Sequence, residues 1–261
     1  MPAATTSIPT LSDAEILQFL DALKEADSVE LKLTVPEPHQ SATTTALELD
    51  PLEAQIRQVF FFDTPELALD SHGVVARARR IQGKGGDSIV KLRPVVPSEL
   101  PEDLRLSKAF RVEVDALPGG FVCSGTLKGT PDQAAVLLAA KGELPLPKLF
   151  SKEQRQLFAA HAPEGIGLDD LVVLGPIFVL KLRFEPPELG RRLVVEMWIY
   201  PDGSRILELS TRCETSETFQ VAVELRAFLV RRGVDVSGEQ ETKTRKALEY
   251  FSREWKTKAK K

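Results

Sequence analysis

The stretch Ser28-Val29-Glu30-Leu31-Lys32-Leu33-Thr34-Val35 alternates strictly between polar and apolar residues, and its reading decides the rest of the chain. Successive side chains of a strand point to opposite faces, so this pattern makes one greasy face and one charged face. The same rule recurs downstream. Arg77 with Arg79, Lys91 with Arg93, Arg111 with Glu113 and Asp115, Lys181 with Arg183, then Glu196, and Glu208 with Arg212 share the charged faces of six further strands. Their opposite faces carry Ala76 and Ala78, Val90 and Leu92, Val112 and Val114, Leu180 and Leu182, Val195 and Met197, and Leu207 and Leu209.

An ordinary sheet would turn such charges to water. Two features argue for closing the sheet with the charges inward. The polar positions hold Arg, Lys, Glu and Asp almost to the exclusion of Ser, Thr and Gln, and cations recur two residues apart in Arg77/Arg79 and Lys181/Arg183. Like charges that close cost energy unless carboxylates or a polyanion neutralise them. The expected fold is α+β, a closed antiparallel barrel of about eight strands with a charged interior, surrounded by helices. Guanidinium and ammonium groups on its wall suit phosphate oxygens. Carboxylates on the same wall suit Mg²⁺ or Mn²⁺, which prefer oxygen ligands.

The 261 residues, 43% hydrophobic and 28% charged, are read as one domain spanning 1–261 with material for a core. A net charge of −4 gives no overall attraction for nucleic acid or membrane, so neither is an expected partner and any anion site must be local. Cys123 and Cys213 lack metal-ligand or disulfide-framework spacing, and His39, His72 and His161 are scattered. The first residues show no basic segment followed by an apolar run, and no stretch reaches the ~20 apolar residues of a membrane helix. A cytoplasmic protein is expected, its oligomeric state left open.

Around the strands, 1–10 reads as a loose tail, and Ser12 with Glu15 forms a capping box opening a helix that ends near 26. A helical turn near 51–57 precedes an aromatic strand at 58–65. Gly83-Lys84-Gly85-Gly86-Asp87 lacks the order of a phosphate loop and a following helix, so it is read as a hairpin turn. Segment 117–170 mixes glycines with helices at 131–140 and 151–160 and is read as a helical insertion or lid. Pro201-Asp202-Gly203-Ser204 is a second hairpin turn. Helices follow from 216 and over 241–255, and the basic end 256–261 is read as a solvated tail.

These motifs, in this order, resemble the CYTH, or triphosphate tunnel metalloenzyme, family. Glu30-Leu31-Lys32 matches the second acid and the lysine of its ExExK opening, and Phe61-Phe62-Asp63-Thr64-Pro65-Glu66-Leu67-Ala68-Leu69 is similar to its YFDTxxLxL segment. Val75-Ala76-Arg77-Ala78-Arg79 resembles its LRxR strand, Ile89-Val90-Lys91 its TxK strand, and Arg111-Val112-Glu113 its RxE strand. Lys181 with Arg183, then Glu196, Gly203 and Glu208-Leu209-Ser210, follow the order of its later strands. Thr242-Lys243, with Arg245, Ala247 and Leu248, resembles the opening of its C-terminal helix.

The resemblance implies divalent-metal hydrolysis of inorganic triphosphate, thiamine triphosphate or a nucleoside triphosphate. Lys32, Arg77, Arg79, Lys91, Arg111, Lys181, Arg183 and Lys243 would bind phosphate. Glu30, Glu113, Glu196 and Glu208 would hold Mg²⁺ or Mn²⁺, with Asp115 a possible helper. Glu30, Lys32 and Lys243 would be catalytic. Two departures weaken the acidic side, since Ser28 and Ser210 stand where the family has carboxylates. A module that binds polyphosphate or a nucleotide without cutting it is therefore the first alternative, and an adenylate cyclase of the same fold the second.

Overall fold

Cα partners on adjacent strands turn their side chains to the same face, so register carries the inside or outside assignment of one strand to the next. In a computed structural model describing residues 12–236, 240 and 242–258, nine strands close into a barrel. They are β1 (Ser28–Val35), β2 (Gln55–Asp63), β3 (Val74–Ile81), β4 (Gly86–Leu92), β5 (Phe110–Leu117), β6 (Gly120–Gly129), β7 (Val172–Phe184), β8 (Leu193–Ile199) and β9 (Arg205–Cys213). Their order around the wall is β1-β5-β6-β4-β3-β2-β7-β8-β9. Every ladder is antiparallel except β1 with β5. A closed ring with an odd number of strands cannot alternate direction throughout, so the ninth strand forces a parallel pair. The expected closed barrel surrounded by helices is observed, with nine strands in place of about eight and one parallel pair among antiparallel ones.

The additional strand is β6, which opens the 117–170 segment read from sequence as a helical insertion or lid. Its glycines hid it, and packing explains them. A Cβ at Gly125 would stand 2.2 Å from the Phe110 ring, and one at Gly129 would stand 2.6 Å from Gln154 Oε1. Strand β2 also begins earlier than expected, at Gln55, because the turn before it spans only Pro51–Glu53.

Eight helices accompany the strands among the described residues: α1 (Asp13–Glu25), α2 (Gln40–Ala46), α3 (Ala68–Ser71), α4 (Glu102–Leu106), α5 (Gln133–Ala140), α6 (Lys152–His161), α7 (Thr218–Arg231) and α8 (Lys243–Lys258). Helix α1 starts at the expected capping box, with the Glu15 amide donating to Ser12 Oγ at 3.3 Å and the Ser12 amide to Glu15 Oε2 at 2.7 Å. It buries Phe19, Ala22 and Leu23, while α7 buries Val221, Leu225, Phe228 and Leu229. These meet the outer faces of the strands, including Val29, Leu31, Val112, Val114, Leu207 and Leu209, in one large core. Burying each such side chain is worth about 1.5–3 kcal/mol, and that turns the apolar face outward against helices.

Helix α6 is pinned by Gln154, whose amide nitrogen donates to the carbonyls of Ser88 and Leu127 at 3.1 Å each. Helix α8 spans Lys243–Lys258, so residues 256–258, expected in a solvated tail, form its last turn, and the expected start at 241 lies outside the described residues. The expected loose tail at 1–10 and the end at 259–261 lie outside the described residues. No helix of the described residues is long and apolar enough to cross a membrane.

Candidate functional site

The parallel β1–β5 ladder sets Ser28 beside Glu113 and Glu30 beside Asp115, all on the inner face. Carboxylate oxygens of Glu30, Glu113 and Asp115 thereby fall within 4.8 Å of one another. Lys32 Nζ lies 3.1 Å from Glu30 and 2.8 Å from Asp115, and Lys91 and Arg93 reach Asp115 at 3.5 and 3.4 Å. Ser210 Oγ donates to Glu30 at 3.0 Å, Ser28 Oγ donates to Glu113 at 3.4 Å, and Arg212 pairs with Glu113. Burial opposes the charge on Asp115, but Lys32, Lys91 and Arg93 outweigh it and hold this carboxyl well below its ordinary value. Glu113 moves the other way, pushed up by burial and by the neighbouring Glu30 charge.

In a ring of this order β1 lies across the barrel from β3 and β2. There the wall is basic. Arg79 grips Asp87 with two bonds of 2.8 and 2.5 Å, a bidentate guanidinium–carboxylate pair. Arg57 Nε and Nη2 donate to the neutral Gln55 Oε1 at 3.3 and 2.9 Å. The Arg77 side chain makes no hydrogen bond or ion pair among the described residues, and its Nε is buried without a partner. Burial, and next the charge of Arg79, push Arg77 down to about 9 and Arg57 down to about 10.

A third group joins β7, β8 and β9 to α8. Glu196 accepts from Lys181 at 2.7 Å, from Lys243 at 2.6 Å and from Trp198 Nε1 at 3.2 Å, and Lys243 also reaches Glu208 at 2.6 Å. Lys243 is the first residue of α8. Its carbonyl accepts from the Tyr200 hydroxyl at 3.0 Å, and its ammonium lies 5.1 Å from the centre of the Trp198 ring. Register puts Val59, Phe61, Ile177, Val179, Trp198 and Ile206 on the inner face as well. Ala247, Leu248 and Phe251 of α8 pack with them in a second, smaller core. Hydrophobic packing inside the barrel thus positions the lysine.

Against known proteins, no family profile and no curated protein matches the sequence. Solved structures do match in shape. A candidate adenylate cyclase from Bacillus halodurans superposes with a TM-score of 0.59 at 14% identity, over 85% of this chain and 97% of that one. A candidate adenylyl cyclase from Hippeastrum, described as having a dominant triphosphatase activity, gives 0.60 at 18% identity over 81% and 91%. The chain shares the closed-barrel tunnel fold of these proteins.

Within this tunnel the residues singled out from sequence fall into distinct places. Glu30, Glu113 and Lys32 meet in the acidic cluster, where Asp115 is a full member rather than a helper. Glu196 and Glu208, expected beside them as metal ligands, instead hold Lys181 and Lys243. Arg77, Arg79 and Lys91 line the wall as expected. Arg111 and Arg183 are exposed, and Arg111 donates to the Phe110 carbonyl at 3.3 Å. Sequence reasoning missed Arg57 and Asp87. Both obey the alternation, Arg57 two residues before Val59 and Asp87 four before Lys91, but each had been assigned to a turn.

Proposed function

We propose that the tunnel hydrolyses a triphosphate with the help of Mg²⁺ or Mn²⁺, the substrate being inorganic triphosphate, thiamine triphosphate or a nucleoside triphosphate. The observation that carries this reading is the basic wall. Arg57, Arg77 and Arg79 are held inside the barrel with Asp87 as their one bonded carboxylate among the described residues. A buried charge without a partner costs several kcal/mol, and a phosphate chain would remove that cost. The triphosphatase activity of the Hippeastrum protein, on the same fold, supports the choice of reaction.

Glu30, Glu113 and Asp115 fit a hard divalent cation, because they bring oxygen donors close together beside the serine hydroxyls. A metal held there would neutralise phosphate charge and acidify a bound water. The chain's own contribution is positioning and electrostatics. Arg77 and Arg79 offer guanidinium forks, while Lys32, Lys91, Lys181 and Lys243 add point charges whose orientation the surrounding carboxylates fix. Exposed Arg111 and Arg183 would add charge outside the buried wall.

A phosphate-release screen of several triphosphates with each metal tests the reading. Arg77→Ala should lower kcat/KM by about a hundredfold or more, and Glu113→Gln should raise the metal concentration needed for half-maximal rate. Wild-type turnover in both variants would sink the assignment.

One observation favours binding without turnover. Ser28 and Ser210 bond to Glu113 and Glu30 as neutral hydroxyls, leaving fewer carboxylates for metal. If that reading holds, the native protein binds triphosphate but releases no phosphate, and Ser28→Glu with Ser210→Glu creates activity. The structural neighbours' designation as cyclases brings in a further outcome. Cyclic AMP and pyrophosphate from ATP, in place of ADP and orthophosphate, would select a cyclase.

A further inference from the structure

We infer that Arg57, which lies outside every motif of the family resemblance, is a further phosphate-binding residue of the tunnel and acts with Arg77 and Arg79 on the same anion. The inference rests on the triphosphate reading above. Arg57 is on the inner face by both of its ladders, opposite Ile81 on β3 and Val179 on β7, and is 6% exposed. Arginine is rarely buried to this degree without an ionic partner. Here the guanidinium meets only the amide oxygen of Gln55, which accepts from Nε and Nη2, and no carboxylate lies within ion-pair distance of it among the described residues. Of its five N–H donors, those on Nη1 have no partner among the described residues.

The spacing points to an extended anion. On the β2–β3 ladder Arg57 opposes Ile81, Arg79 opposes Val59 and Arg77 opposes Phe61, so the three cations advance two residues at a time along one wall. Each step is roughly 7 Å of strand. Asp87 neutralises one of the three charges, which leaves a demand for at least two negative charges spread along the wall. A chain of phosphoryl groups meets that demand, and a single monoanion does not. The depressed proton affinities of Arg57 and Arg77 agree with cations built to be neutralised by a ligand.

A purely structural arginine and a ligand-binding one behave oppositely when the charge is removed. Arg57→Met keeps an unbranched stem and deletes the guanidinium. The expected result is a melting temperature without ligand equal to or above that of wild type, because an unneutralised buried charge is gone. Calorimetric titration with inorganic triphosphate in the absence of divalent metal, so that turnover does not consume the ligand, should give a Kd raised by about ten- to a hundredfold, the range of a lost hydrogen bond to a charged group. Arg57→Lys, which keeps charge but loses the fork, should fall between the two. Wild-type affinity in Arg57→Met, or a ligand-free melting temperature several degrees below wild type, overturns the inference and leaves the triphosphate reading standing. Absence of triphosphate binding by the wild-type protein overturns both.

Discussion

Glu196 ties β8 to β7 and α8 through a single side chain. It is 8% exposed and takes two lysines and an indole N–H on its two oxygens. Burial works against its charge, but Lys243 and Lys181 outweigh burial and hold the carboxyl well below its ordinary value of 4.5. A carboxyl whose folded value is depressed stabilises the fold above its unfolded value, and that stability is lost as pH falls through the folded one. Glu196→Gln should therefore be less stable at pH 7 by about 3–5 kcal/mol, the cost of breaking a buried ion pair from one side. The gap should begin to narrow as pH falls below about 4.5, where the carboxyl of the unfolded chain takes up a proton, and should go on narrowing toward the depressed value of the folded one. Urea midpoints at pH 7 and pH 3 measure it, and a gap that stays constant would refute the linkage. Sequence alternation put Glu196 inside correctly. That it faces lysines rather than joining Glu30 was not legible, because strand order decides which inner residues meet, and strand order depends on pairings far apart in the chain.

At the scale of elements, β6 is the instructive case. A strand announces itself by alternating large apolar residues, and Gly120, Gly125 and Gly129 break that signal. Gly125 lies on the outer face opposite Val112, with the ring of Phe110 folded over it. Phe110 is 2% exposed in the outer core, so the ring has little freedom to retreat. Gly125→Ala should overpack this site and cost about 1–3 kcal/mol. Pairing it with Phe110→Leu should recover part of the loss, since the shorter side chain leaves the added methyl its space. Thermal unfolding of the two single variants and the double variant tests this, and strict additivity would show that the two residues do not compete for one volume. By contrast, α1 and the 202–204 turn were legible, because their signals are local. Ser12 and Glu15 cap each other directly. The Ser204 amide donates to Asp202 Oδ1 at 2.9 Å, and Gly203 takes φ +84°.

Across the whole molecule, one wall separates two cores. The outer core between strands and helices follows from the apolar faces read in the sequence. The inner one does not, because Val59, Phe61, Val179, Trp198 and Ile206 sit on the face that elsewhere carries charge. The rule of one charged face holds only along part of the tunnel. Where it fails, α8 enters the arrangement, seating Leu248 and Ala247 on the apolar patch and so presenting Lys243 to Glu196 and Glu208. Leu248 is 2% exposed, so Leu248→Ala should cost about 2–5 kcal/mol, on the order of 10 °C in melting temperature for a chain of this size. The consequence should reach beyond stability. With α8 loosened, Lys243 is no longer held over the tunnel, and affinity for triphosphate should fall in Leu248→Ala although no phosphate-binding group has been altered. Affinity measured well below the variant's own melting temperature separates the two effects. An unchanged Kd there would mean that Lys243 is positioned by its ion pairs alone and that the inner core serves only to close the barrel.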